Sequence, residues 1–134
     1  MTKESIYAWI FLSIFEQPTP LWDVIASADY INHAIPTLRE LQTSLGWLQA
    51  QGLVKKEEKK YTLTEEGAAL RNLFSHKKKI FPVWDEITDR FSKLPEINFI
   101  PDDLTKEDVD LANKLYIEMF NEALRKVDGK KSKS

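Results

Sequence analysis

Hydrophobic residues recur along this chain mostly at helical spacing, and sharp breaks separate the runs. In the first run, Ile6, Tyr7, Trp9, Ile10, Phe11, Leu12, Ile14 and Phe15 cover nearly the whole circumference of a helix. A helix that is apolar all round must be buried on more than one side. It is expected to start after Thr2, to run to about Phe15, and to be either the centre of the fold or partly a contact with a second subunit. Gln17-Pro18-Thr19-Pro20 reads as a stop followed by a start: Pro18 ends the first helix, Thr19 can cap, and Pro20 suits a first helical position. Leu21, Trp22, Val24, Ile25 and Ala28 then mark a second helix that fades near Asn32 and His33.

The third helix has the clearest pattern. Thr37-Leu38-Arg39-Glu40 has the form of a capping box, in which hydroxyl and carboxylate each satisfy the other residue's amide. Leu38, Leu41, Leu45 and Leu48 follow on one face, and Gly52 supplies a left-handed stop. Beyond it, Leu53-Val54 and Tyr61-Thr62-Leu63 flank the charged stretch Lys55 to Lys60, which predicts a hairpin with a solvated tip. The tip contains no Asn-Gly or Asp-Gly to set its turn type. Thr64 caps a fourth helix with Glu65 and Glu66 in its first turn, where the helix dipole favours anions, and with Leu70, Leu73 and Phe74 facing the core.

After His76 the register changes. Val83, Trp84, Ile87 and Phe91 predict a short amphipathic helix before Pro95, and residues 95–104 read as a loop. Thr105 to Asp108 forms another cap, opening a long helix to about Val127. Its positions Val109, Ala112, Tyr116, Met119 and Ala123 alternate steps of three and four over only two to three heptads. The expected organisation is one unit over residues 1–75, a helical extension over 76–128 that serves dimerisation, and a disordered Lys/Ser tail over 129–134.

Composition changes this picture mainly by exclusion. The chain has no cysteine among its 134 residues, which removes disulfides, thiolate zinc sites and thiol nucleophiles. His33 and His76 lie far apart, so no metal ligand set is expected, and no cofactor motif is present. The apolar run Ile6 to Phe15 is half of what a bilayer requires and its flanks do not suit a signal peptide, so a cytoplasmic protein without a membrane segment is expected. No catalytic constellation stands out: pairs such as Asp85-Glu86 and Asp102-Asp103 are read as exposed carboxylates, and an enzyme is not expected. The four tryptophans read as core, except Trp47, which lies off the leucine stripe and is expected under the hairpin or at an interface.

The segment Leu45-Gly46-Trp47-Leu48-Gln49-Ala50-Gln51-Gly52-Leu53-Val54 resembles the end of a recognition helix entering a first wing strand. Tyr61-Thr62-Leu63-Thr64-Glu65-Glu66-Gly67 resembles a second wing strand running into the next helix. Together they resemble the winged helix-turn-helix superfamily, in the style of MarR- and PadR-type bacterial regulators, over residues 1 to about 75; the C-terminal part resembles no named family. The resemblance implies a mainly α fold of three helices and a hairpin wing, and a dimeric regulator of transcription that binds duplex DNA. Thr37, Arg39, Gln42 and Thr43 on the third helix and Lys55, Lys56, Lys59 and Lys60 on the wing are then the candidate contacts.

Charge opposes that implication. The net charge is −2, and residues 20–52 hold one basic residue, Arg39, against Asp23, Asp29 and Glu40, whereas phosphate contacts normally supply much of the affinity for DNA. Two readings therefore stand: a DNA-binding regulator, and a protein-interaction module of the same architecture that does not bind DNA. A homodimer is expected in either, with the first and last helices both taking part. Nothing in the sequence names an effector.

Overall fold

The computed structural model describes residues 1–77 and 79–132, with side chains as far as Val127. Nine elements follow in order: α1 (Lys3–Phe11), β1 (Thr19–Pro20), α2 (Leu21–Asn32), α3 (Leu38–Ala50), β2 (Val54–Glu57), β3 (Lys60–Leu63), α4 (Glu65–Asn72), α5 (Ile80–Ser92) and α6 (Lys106–Ser132). The chain is mainly helical, as expected, with a small antiparallel sheet in the order β1-β3-β2.

The all-round apolar helix is central. Tyr7 through Phe11 are all buried on α1, which packs against α5, α3 and α2. Its own chain therefore covers the surface that the sequence left open to a second subunit. Two indoles tie it in place: Trp9 donates to the Ala28 carbonyl at 2.9 Å, and Trp84 donates to the Ser5 carbonyl at 2.8 Å. The helix is shorter than predicted. After Phe11 the chain turns and becomes extended, so that the Phe15 carbonyl accepts from the Leu63 amide at 2.9 Å. Ile14 is still buried, and its apolar character serves this crossover rather than another helical turn. Thr19, expected to cap α2, instead pairs with Tyr61 across the sheet and bonds locally to Phe15 and Gln17.

Elsewhere the local signals act as read. The Thr37–Glu40 capping box is formed in both directions, at 3.1 and 2.9 Å. Leu41, Leu45 and Leu48 are fully buried and Leu38 partly so, and Gly52 takes a φ of 73° just past the end of α3. Thr64 and Thr105 cap α4 and α6. Leu73, predicted for the core, is exposed because α4 ends at Asn72 and the following turn swings it outward, while Phe74 stays buried. Helix α6 runs to Ser132, into the segment predicted to be a disordered tail; Lys133 and Ser134 lie outside the described residues, as does Lys78 of the basic run at His76–Lys79.

The C-terminal elements share the core of the first. Val83, Trp84, Ile87 and Phe91 of α5, Leu104, and Val109 and Ala112 of α6 join the same buried cluster as α1 to α3. Trp47 stacks on Tyr7 at 4.5 Å between ring centroids and meets Phe91 edge-on at 4.8 Å, so it seals α3 to α1 and α5. No helix among the described residues is long and apolar enough to cross a membrane.

The β2–β3 turn has two residues, and both Glu58 (φ 50°) and Lys59 (φ 64°) occupy the left-handed region normally filled by Asn or Gly. A left-handed residue with a Cβ costs about 1–2 kcal/mol, partly offset in glycine by its greater freedom when unfolded. Lys59→Gly is accordingly expected to stabilise the fold by about 0.5–1 kcal/mol, read as a raised midpoint in urea denaturation.

Candidate functional site

Of the side chains singled out in the sequence, Gln42, Lys56, Asp102 and Asp103 meet where α3, the β2–β3 hairpin and the segment joining α5 to α6 come together. That segment, residues 95–105, crosses α3 as an irregular strap. It has no ladder of its own, so its backbone polar groups depend on what it crosses. The Asp102 amide donates to the Gln42 carbonyl at 2.8 Å, and the Gln42 side chain donates to the Leu104 carbonyl at 2.7 Å.

The strap can come this close because α3 has a glycine at the crossing. A Cβ on Gly46 would lie 2.4 Å from the Ile100 carbonyl oxygen and 2.8 Å from the Pro101 Cα. A glycine in mid-helix ordinarily weakens the helix, and here it makes room for backbone.

The lock is the carboxylate of Asp102, whose side chain is 1% exposed. Its Oδ1 accepts from Lys56 Nζ at 2.9 Å, from the Tyr61 hydroxyl at 3.0 Å and from the Leu104 amide at 3.1 Å, and its Oδ2 accepts from Gln49 Nε2 at 2.7 Å. Lys56 also donates to Asp103 at 2.6 Å. Lys56 and Tyr61 are direct partners across the β2–β3 ladder, so the hairpin register delivers both donors to one point. Burying a carboxylate is tolerable only with such a full set of partners. In the sequence Asp102 reads as an exposed carboxylate; its burial corrects that, because the side-chain donors that compensate it lie more than 40 residues away.

Ionisation behaviour follows from this packing. Burial opposes the charge on Lys56, but its hydrogen bonds to Asp103 and Asp102 outweigh that and raise its pKa. Asp103 is held below the usual carboxylate range by its hydrogen bond and charge contact with Lys56. Burial, with the Asp102 carboxylate beside it, pushes the Tyr61 phenol far above the ordinary tyrosine value.

The residues proposed for nucleic-acid contact are dispersed by this arrangement. Thr37 is occupied as a cap, Gln42 lies beneath the strap, and Lys56 is turned into the lock. Arg39 is exposed and Thr43 half-buried, and both border a recess beside Lys3 and Ile6 on α1. Lys55, Lys59 and Lys60 are exposed, with Lys55 3.8 Å from Glu57 and Lys60 opposite Glu57 in the ladder. Lys56 and Lys59 instead border a groove of about 360 Å³, with Trp22 of α2 and Leu111 and Leu115 of α6. At the end of α4, Lys77 pairs with Glu86.

The sequence reading missed Asp102, Tyr61 and Gln49 as members of one cluster. Gly46 was the available signal, since a mid-helix glycine marks a close approach of backbone. Among the described residues, no group of three or more His, Asp or Glu is placed to hold a metal ion. In comparisons with protein-family models, curated proteins and solved structures, nothing matches this chain.

Two outcomes are expected of this site. Gly46→Ala would gain about 1 kcal/mol on a bare helix, but beneath the strap it is expected to lose about 1–3 kcal/mol through overpacking; urea denaturation decides the sign. Tyr61 has a folded pKa above its unfolded value near 10.0, so its contribution is intact below that pH and is lost as pH rises through it. The wild type should therefore lose stability above about pH 10 more steeply than Tyr61→Phe, measured as thermal midpoint against pH.

Proposed function

We propose that this chain is a winged-helix-like module that works through protein contacts and does not read DNA. The order of helix, helix, helix, hairpin and helix supports the architecture. The observation that carries the functional reading is the strap on α3. A recognition helix must present its outward face to base edges, and here the flank bearing Gln42, Gly46 and Gln49 is covered by residues 100–104. The opposite flank is closed by Trp47 against Tyr7 and Phe91. Between them remains a narrow strip with Arg39, Thr43 and Ala50.

Electrostatics supports the same reading. Duplex binding draws on several uncompensated cations, whereas Lys55, Lys56 and Lys77 each have an acidic neighbour and the net charge is −2. Exposed apolar surface, which marks protein interaction when it is contiguous, is concentrated instead along α6.

Fluorescence anisotropy with labelled random duplex DNA tests this directly. No rise in anisotropy is expected at low salt with micromolar protein. Binding that weakens steeply as salt is added would reveal phosphate contacts and replace the reading with that of a DNA-binding regulator, in which the exposed Lys55, Lys59, Lys60 and Arg39 are the first groups to mutate.

A further inference from the structure

The basic run His76–Lys79 has no part in the site around Asp102, and the helix before it does not account for it. It begins four residues past the end of α4 at Asn72, beyond the last turn in which a helix dipole favours cations. Around it the chain forms a recess of about 260 Å³ bordered by Arg71, Asn72, Ser75, Lys77 and Lys79, with the buried Phe74 and Val83 as apolar lining. None of the residues that border the recess is acidic.

Arg71 is the anomaly there. Its guanidinium is half-buried, and its Nη1 donates to the Leu12 carbonyl at the end of α1 at 3.0 Å. Burial lowers its pKa, and no carboxylate among the described residues stands near enough to raise it again. The end of α1 offers only about half an elementary charge, whereas buried cations are ordinarily paired with a full one. The remaining N–H donors of the fork are free for a planar or tetrahedral oxyanion.

The local charge narrows the class of ligand. Arg71, Lys77 and Lys79 place three positive charges on the recess and Glu86, which pairs with Lys77, one negative charge, leaving +2. A phosphate monoester carries about −1.5 to −2 at neutral pH, whereas each phosphate of a duplex carries only about −1. The start of α5 points the same way. Its N-cap, Lys79, makes no side-chain cap and its first turn has no acidic residue, so the first amides are left beside the recess that Ile80 borders.

We infer that the recess between the end of α4 and the start of α5 is a binding site for a phosphate monoester, held by Arg71, Lys77 and Lys79. Arg71 supplies the forked, directional contact, and the two lysines act as point charges. A small phosphorylated metabolite and a phosphorylated side chain of a partner protein share this chemistry. The inference is independent of the covered flank of α3, and either can fail while the other holds.

Isothermal titration calorimetry of the full chain with phenyl phosphate tests it, with a short peptide centred on phosphoserine and its unphosphorylated form as parallel titrants. Saturable binding of a phosphorylated titrant is expected, weakened at least about tenfold by Lys79→Glu. Lys79 is exposed, so this variant should keep the thermal midpoint of the wild type, and Lys55→Glu on the hairpin should keep its affinity. Tighter binding of the phosphopeptide than of phenyl phosphate would assign the site to a phosphorylated partner, and the reverse to a small ester. Absence of saturable binding by both phosphorylated titrants overturns the inference. So does binding that Lys79→Glu leaves intact, or that the unphosphorylated peptide matches.

Discussion

The buried carboxylate of Asp102 is the constraint on which the arrangement around α3 depends. An ionised group at that depth is costly, and removing one partner from such a set typically costs about 3–5 kcal/mol. Its donors come from α3, β2, β3 and the strap itself. One side chain thus makes the position of the hairpin, the exposure of the third helix and the course of the chain between α5 and α6 mutually dependent. The register of β2 against β3 is part of the same condition, since a slip of one residue would put Lys56 and Tyr61 on opposite faces of the sheet.

The consequence for α3 is that its surroundings differ from those of an ordinary amphipathic surface helix. The leucine stripe meets the core, the glutamine and glycine flank meets the strap, and the tryptophan flank meets α1 and α5. What remains open is a strip instead of a face. The sharing of one hydrophobic cluster by α5, the start of α6 and α1 to α3 has the same origin, because the strap must leave α5 and enter α6 at points fixed by packing.

Much of the fold is legible wherever the signal is local. The capping box at Thr37, the leucine stripe, the stop at Gly52 and the threonine caps at Thr64 and Thr105 each involve residues within a few positions of one another. The first helix is overextended in the sequence reading for a physical reason: apolar residues from Leu12 to Ile14 are required by burial whether the chain there is helical or turning toward the sheet. The candidate site is legible only in fragments. Lys56 and Gln42 can be picked out as polar residues at suggestive positions, but their partners lie 46 and 62 residues away, and nothing in their neighbourhood names Asp102 or Leu104. Two prolines suggest an open loop at residues 95–104, whereas they stiffen a segment held against α3.

The strap also lies C-terminal to everything it grips. A chain emerging from the ribosome exposes α3 and the hairpin well before Asp102 appears, and domains generally fold as units during synthesis. Until about forty further residues have followed Tyr61, the Gly46 flank is bare and Lys56 and Tyr61 have no carboxylate to meet. The late arrival of residues 100–104 therefore places closure of α3 after α3 and the hairpin have emerged, and any truncation upstream of Asp102 removes the carboxylate that closes that surface.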